Sequence, residues 1–314
     1  MPAAVTAAGT TGGDILKVYT GARPLAVGGA YTAWGTGADS LNYNPAGIGA
    51  MEGRELNASY LRYFAETQIA NVSFAQQFDS FLLEGKMGLS LMYRWIPTID
   101  NEDAEDEPVD YNESVISFCY ANTLDYFIDN EALKNITAGI SGKLLTEQIG
   151  PHTGSALAFD IGAQYRGGGE GFSAGAALRN IGAGLKLIRG SASESGPSFE
   201  ESPLPLTFRA GLLQGIRIDD DNFTRLAVDY IQDFYDYARF AAGIEHELIK
   251  LLYLRAGYNT SVDTRNPSYL SAGAGIFIEQ EEFKIGVNYV YRMALFGGFD
   301  IPAHNHSGSV TIKF

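Results

Sequence analysis

The chain is poor in the residues on which disulfide and metal frameworks are built. Its 314 residues include one cysteine, Cys119, and four histidines. A single cysteine excludes an internal disulfide and a cysteine-based zinc site, and Cys119 reads as a small apolar side chain within a strand. Base is scarce as well. Lys and Arg number 22 against 37 Asp and Glu, a formal charge of -15. That balance argues against nucleic acid as a partner, because phosphates call for clustered Lys and Arg. The surplus carboxylate reads as solubilising charge. Long hydrophobic runs are missing too. No window holds the roughly 18 uninterrupted apolar residues of a transmembrane helix, which excludes a helical membrane protein. A barrel is untouched by this, since alternating strands average to neutral hydropathy, and the mean hydropathy is -0.06. No charged and then apolar leader opens the chain. Pro2-Ala-Ala-Val-Thr-Ala-Ala8 reads either as the small-residue stub around a leader cleavage site or as an ordinary flexible start.

What is abundant is glycine and aromatic side chain: 37 Gly, 18 Tyr and 18 Phe, with 46% hydrophobic residues overall. From Arg54 onward the apolar positions recur with period 2, the mark of strands with one apolar and one polar face. Met87, Leu89, Leu91, Tyr93 and Trp95 share one face, opposite Lys86, Gly88, Ser90, Met92 and Arg94. Leu157, Phe159, Ile161, Ala163 and Tyr165 oppose Ala158, Asp160, Gly162, Gln164 and Arg166. Phe283, Ile285, Val287, Tyr289 and Tyr291 alternate with Lys284, Gly286, Asn288, Val290 and Arg292, and Val310, Ile312 and Phe314 close the chain in the same rhythm. Such segments fall near 54–65, 67–78, 85–96, 111–123, 134–148, 155–166, 171–182, 204–217, 222–233, 237–248, 250–260, 268–279, 282–293 and 305–314. That is about fourteen, an even number as single-chain bacterial barrels require. Asp219–Asn222 and Glu279–Glu282 read as tight turns, and Pro97–Asp110 and Ile188–Pro203 as long loops.

A soluble β-sandwich also alternates, so the faces must decide. Tyr93 with Trp95 and Tyr289 with Tyr291 lie near strand ends, where the interfacial aromatic girdles of a membrane barrel belong. The opposite faces carry Lys, Arg, Gln and Asn among Gly and Ser, which suits a water-filled or plugged lumen. Arg94, Arg166, Asn288 and Arg292 are the lumen-facing polar candidates. The expected fold is all-β, a transmembrane antiparallel β-barrel that closes because every backbone group in lipid must be paired. Residues 53–314 form the barrel, and residues 1–52 are an N-terminal extension and plug.

That first segment has no period of 2. Gly21 to Met51 is rich in Gly and Ala yet carries Tyr31, Trp34 and Tyr43; it is too apolar for a solvated tail and too irregular for a sheet. Asp14–Lys17 reads as one helical turn. Ala38–Tyr43 opens a short helix capped by Asp39 or Ser40, and Pro45 pushes Asn44 out of the helical region. Tyr31, Trp34 and Tyr43 either offer an apolar surface to a ligand or anchor the plug to the wall, and the glycines allow the plug to change conformation.

Enzyme motifs fail on context. Gly171-Phe-Ser-Ala-Gly175 has the spelling of a nucleophile elbow, which needs a strand-to-helix turn. It lies within an alternating strand, and Ser173 reads as a lumen residue. His304 and His306, taken as loop residues before the last strand, find no further ligand. The acidic run 100–107 lacks the spacing of a calcium loop, and Gly167–Gly171 is a turn. No enzyme, cofactor or metal is implied.

Gly9-Thr-Thr-Gly-Gly13, Gly21-Ala-Arg-Pro-Leu-Ala-Val-Gly-Gly-Ala-Tyr-Thr-Ala33 and Asn42-Tyr-Asn-Pro-Ala-Gly47 together resemble the PorV/PorQ family, outer-membrane relatives of the FadL long-chain fatty-acid transporters. Leu178-Arg-Asn-Ile-Gly182, Ser202-Pro-Leu-Pro-Leu206 with Arg209-Ala-Gly211, Gly243-Ile-Glu245 with Leu254-Arg-Ala-Gly-Tyr258 and the terminal Phe314 follow in order. The resemblance implies a 14-stranded barrel in the bacterial outer membrane, with Asn44, Pro45 and Ala46 at a plug in the lumen. It also implies passage of a hydrophobic small molecule from outside, through the plug region, to a lateral opening. Outer-membrane lipid and a hydrophobic ligand are then the partners. The same family offers a second role, in type IX secretion, binding the C-terminal signal domains of cargo proteins. A third is a plugged structural barrel without transport. The chain looks short for a secretion-system PorV.

Overall fold

The computed structural model describes residues 11–64, 66–80, 83–97, 110–167, 171–189, 201–263, 266–295 and 304–314. The small-residue stub at 2–8, the acidic run 100–107 and the turn residues 168–170 lie outside them. Fifteen strands form: β1 (Arg54–Arg62), β2 (Gln68–Ser80), β3 (Leu83–Ile96), β4 (Tyr111–Thr123), β5 (Ile136–Ile149), β6 (His152–Arg166), β7 (Phe172–Gly182), β8 (Ile188–Arg189), β9 (Thr207–Arg217), β10 (Phe223–Asp233), β11 (Arg239–Leu248), β12 (Leu252–Ser261), β13 (Tyr269–Glu279), β14 (Lys284–Ala294) and β15 (His304–Lys313). All but the two-residue β8 belong to one closed antiparallel ring, each paired with its neighbours, so the barrel has fourteen staves. The seam joins the last strand to the first, with Ala58 opposite Val310 and Leu56 opposite Ile312. Closure leaves no sheet edge, which is the condition for a sheet in lipid.

The alternation seen in sequence sets which side faces out. Leu89, Leu91, Tyr93, Leu157, Phe159, Ile161, Val287 and Tyr289 are all exposed, while Ser90, Met92, Asp160, Asn288 and Val290 between them are buried. The apolar side chains thus face outward and the polar ones face in, the reverse of a soluble core and the arrangement of a membrane-spanning barrel. No helix among the described residues is long and apolar enough to cross a membrane. Near the outer rim Tyr93 stacks on Trp95 with ring centroids 5.4 Å apart, and Tyr60 leans on Trp95 at 6.4 Å.

His304 and His306 differ from the loop placement expected of them. They belong to β15 and face outward, where His306 Nδ1 lies 2.6 Å from the Tyr289 hydroxyl and His304 Nδ1 contacts the Tyr291 hydroxyl. The strand starts early because these cross-strand pairs extend the ladder into the aromatic girdle. The Ile188–Pro203 stretch is also less open than expected. β8 pairs with the start of β6, and Leu185 bridges Ser202.

One end of the barrel carries the β2–β3, β6–β7, β9–β10, β11–β12 and β13–β14 turns together with Arg54 and Phe314. The other carries the longer β3–β4, β7–β9 and β14–β15 connections. The β4–β5 connection departs from this rule. It lies at the turn end and holds the four-residue helix α2 (Leu124–Phe127), whose Tyr126 and Phe127 are exposed.

Candidate functional site

Residues 11–51 fill the lumen. They form three 3-10 turns (Asp14–Lys17, Ala38–Asn42 and Pro45–Ala50) and the short helix α1 (Ala22–Ala26), joined by irregular chain. Nearly every residue from Thr20 to Gly49 is buried. The turn at Ala38 begins on Gly37, with φ of 84°, and uses no side-chain cap. Asp39 and Ser40 therefore do not cap it. Asp39 instead accepts the Tyr31 hydroxyl at 3.1 Å, and the Ser40 hydroxyl donates to the Gly37 carbonyl at 2.7 Å. Only glycine accepts that backbone without strain, and the first amide of the turn, the Ala38 N–H, is accepted by Glu55 Oε1 of β1 at 2.9 Å.

Backbone touches backbone where the plug meets the wall. Gly28, with φ of 69°, lies against Gly257 of β12, and a Cβ on Gly28 would reach the Tyr258 carbonyl oxygen at 2.7 Å. A Cβ on Gly175 of β7 would collide with the Thr32 carbonyl. Any larger residue at these points would push the plug away.

The contact is latched by buried charge. Asp229 of β10 accepts the backbone N–H groups of Tyr31 and Thr32 at 3.1 Å each and the Thr32 hydroxyl at 2.5 Å, all on Oδ2. The same oxygen accepts Arg209 Nη2 from β9 at 2.8 Å. Arg209 is fully buried; it also donates to the Gly29 carbonyl at 2.7 Å and the Thr32 hydroxyl at 2.9 Å. Its guanidinium lies beside the stacked rings of Tyr19 and Tyr43, 4.8 and 5.3 Å from their centroids. One turn-ward step along the wall, Glu245 of β11 takes a bidentate pair from plug Arg23, with Nε at 3.0 Å and Nη2 at 2.9 Å, and a third bond from Arg255 Nε at 2.5 Å. Removing one partner of such a buried set costs several kcal/mol because the rest stay charged in a dry site. A separate cluster forms at the β6–β7 bulge, where Asn180 takes the left-handed backbone with φ of 61° and turns inward beside Arg179. Lys143 Nζ then meets Asp160 Oδ2 at 2.6 Å, and the Asn180 N–H donates to Asp160 at 2.8 Å.

The Asn44-Pro45-Ala46 motif ties the lower plug to β4, β5 and β6. Asn44 is extended and caps the following turn, its Oδ1 accepting the Ala46 N–H at 3.0 Å. Its Nδ2 donates to the Thr32 carbonyl at 2.9 Å and to the wall carbonyl of Ala163 at 3.1 Å. Thr137 of β5 donates to the Ala46 carbonyl at 3.0 Å, and Cys119 of β4 lies 3.5 Å from the Pro45 carbonyl.

The aromatic candidates lie together in the plug. Tyr43 stands 5.3 Å from Tyr31, and Tyr31 stacks on Trp34 at 6.0 Å. Tyr31 and Tyr43 have no exposed surface, and the Tyr43 hydroxyl donates to the Thr20 carbonyl at 2.9 Å. They are packing residues in this conformation, whereas Trp34 borders a cavity. Of the lumen candidates, Arg94 pairs with Glu113 of β4, whose carboxylate also meets the Ile15 N–H at 3.4 Å. Arg166 donates to the Gly35 carbonyl at 2.8 Å. Asn288 accepts Arg255 at 2.9 Å, and Arg292 lies 3.6 Å over the Tyr269 ring at the loop end. The structure does not bring these four into one site. The latch residues Arg209, Asp229, Glu245, Arg255 and Arg23 were missed as site residues. Arg255 alone carried a signal, as the one charged side chain within the strand Leu252–Ser261; the others share their strand or segment with further charges or sit near its end.

Outside the latch, the wall is indented. A groove of about 760 Å³ crosses β6, β7 and β9–β12 on the outward face. Ala163, Ala176, Ala210 and Ala242 floor it, with Tyr165, Phe240 and Tyr258 among its margins. Here little more than one backbone separates lipid-facing groove from plug.

Fold and site together define a plugged transmembrane β-barrel. At the level of sequence, no family profile and no curated protein matches the chain. Solved structures do match in fold. The CymD monoaromatic hydrocarbon channel aligns with a TM-score of 0.61 at 13% identity, over 94% of this chain and 97% of that one. The Ralstonia pickettii toluene transporter TbuX gives 0.61 at 12%, over 93% and 97%. The P. putida toluene transporter TodX gives 0.57 at 12%, over 94% and 98%. At such identities the likeness is one of architecture, and it agrees with the 14-stranded barrel that the sequence resemblance implied.

Proposed function

We propose that this protein lies in the bacterial outer membrane and conducts hydrophobic small molecules across it without catalysing a reaction. The observation that carries the reading is the coincidence of latch and groove. The plug is pinned by Asp229 and Arg209 behind the same strands whose outer face bears an apolar hollow floored by alanine. An apolar molecule that reaches the plug has the shortest way into lipid through that thin arc of wall. Water gains nothing there, because the hollow presents apolar surface. The barrels that share the fold were solved as hydrocarbon channels and toluene transporters, which supports a ligand of that character. The PorV/PorQ type is the finer assignment we attach to it, on the glycine-rich and Asn44-Pro45-Ala46 motifs. The plug comprises residues 1–52 and the barrel 53–314 in this reading, with short turns on the periplasmic side.

Toluene uptake by Gram-negative cells tests it. Cells carrying the protein in their outer membrane take up toluene faster than matched cells without it. Ala176→Trp, which fills the groove from outside without touching the plug, slows that uptake. Equal rates with and without the protein would overturn the conduit, and an unaffected A176W would overturn the groove as its exit.

A further inference from the structure

A second cavity lies inside the lumen near the turn end, of about 340 Å³, between the plug and the ends of β7, β9 and β10. Its lining differs in kind from the outer groove. Arg23 and Trp34 come from the plug, and Arg166, Ser173, Phe223 and Arg225 from the wall. Three guanidinium groups therefore border one small space, beside the faces of an indole and a phenyl ring. Arg23 lies 5.7 Å over the Trp34 ring and Arg225 lies 4.5 Å over Phe223.

The charge in this region does not balance. Arg23, Arg225 and Arg255 share Glu245, and Arg225 also reaches Glu247 at 2.9 Å. Arg166 meets no carboxylate among the described residues. Its Nη2 donates to two neutral oxygens, the Gly35 carbonyl at 2.8 Å and Gln164 Oε1 at 2.9 Å, and its Nε has no partner. Four guanidiniums thus stand against two bonded carboxylates in a chain whose formal charge is -15. A half-buried guanidinium without a counter-ion is costly, and a carboxylate from outside removes that cost through charge-assisted bonds. The aromatic plates and the volume, at the small end for ligand sites, select a compact ring over a long chain.

We propose that this cavity binds a small aromatic carboxylate, with Arg166 as the anion anchor, Arg23 and Arg225 as flanking cations, and Trp34 and Phe223 holding the ring. Placing the site on a transport path rests on the conduit reading; binding itself does not. The chain has two tryptophans, Trp34 and Trp95, so Trp95→Phe leaves Trp34 as the reporter inside the cavity. In the detergent-purified full chain, benzoate shifts Trp34 emission saturably and binds at least about tenfold more tightly than benzyl alcohol, its uncharged analogue. Arg166→Gln abolishes that preference and Arg166→Lys keeps part of it, with folding checked by heat-dependent electrophoretic mobility. Should R166Q fail to fold, Ser173→Asp, which puts a carboxylate into the cavity, produces the same loss. Equal binding of benzoate and benzyl alcohol, or benzoate affinity unchanged in R166Q or S173D, would overturn the site. Loss of toluene uptake with benzoate binding intact counts against the conduit alone; absent benzoate binding with uptake intact counts against the anion site alone.

Discussion

Between β9 and β12 buried charges crowd the inner face of the wall, and between β15 and β3, around the closing seam, small polar groups take up most of it. The first arc presents Arg209, Asp229, Glu245 and Arg255, every one bonded to the plug or to a partner that is. The second presents Asn57, Ser59, Asn71, Ser73, Ser90, Ser307 and Ser309, buried small polar groups of which Asn71, Ser73 and Ser90 bond one another, with Glu55 and Arg94 among its few charges. Hydroxyls and amides tolerate a sliding neighbour, since each bond is worth only about 1 kcal/mol net. A buried carboxylate does not, since it must keep its donors. The plug is therefore pinned by a set of paired charges along one arc, while along the other a single carboxylate near the turn end, Glu55, holds it by accepting the Ala38 N–H at 2.9 Å. The pinned arc is also the one with the outer groove behind it.

Asp229→Ala is the strongest way to break that contrast. It strips Arg209 and the Tyr31 and Thr32 amides of their shared acceptor, a loss on the order of 3–5 kcal/mol in plug docking. Open-channel conductance in planar bilayers is expected to rise, and residues 28–34 to lose amide-exchange protection while the barrel still folds. Unchanged conductance and protection would show that packing alone holds the plug. Next in size, Asn44→Ala combined with Pro45→Ala removes the bonds to Thr32, Ala46 and Ala163, about 1–3 kcal/mol. Leakage through reconstituted protein should increase, and identical flux in liposomes would count against the motif as a tie.

A smaller effect is expected from pH. Burial first, and the Glu55 carboxylate second, push the Asp39 carboxyl from its ordinary 3.8 up to about 7. The docked plug thus holds a proton that a released plug gives up. Its contribution is fully present below pH ~4, declines as pH rises toward 7 and is gone above it. Exchange protection of residues 37–43 should fall between pH 5 and 8, and Asp39→Asn should flatten the profile; a flat wild-type profile would sink the idea. Smallest of all is Ser307→Ala on the seam arc. The Ser307 hydroxyl is buried without a partner, so its removal leaves thermal stability unchanged or slightly raised. A clear fall in midpoint temperature would mean that the hydroxyls of this arc also hold the plug.

The ring was legible in sequence because a strand's two faces are written locally, two residues at a time. Segments such as 85–96 and 155–166 needed no distant information. The plug was legible as an irregular, glycine-rich, aromatic piece, and its NPA turn was set by Pro45. What sequence could not show was pairing across the chain. Thr32 and Arg209 are 177 residues apart, and neither looks unusual among its neighbours. Tyr31 and Tyr43 illustrate the same limit. Composition marks a ring as apolar but does not say whether it is covered. His304 and His306 read as loop residues because polar side chains in a girdle break the apolar alternation that marks a strand.

The plug's partners also come late in the chain. Tyr31 and Thr32 are bound by a residue about 200 positions further on, so the plug, made before the strands that hold it, has nowhere to dock until β9, β10 and β11 stand side by side. Long-range contacts of this kind form last, because the intervening chain must be ordered before they repay it. Assembly must therefore shepherd a sticky, half-apolar tether through the formation of most of the ring, and seating it is the final step that turns an open pore into a sealed one.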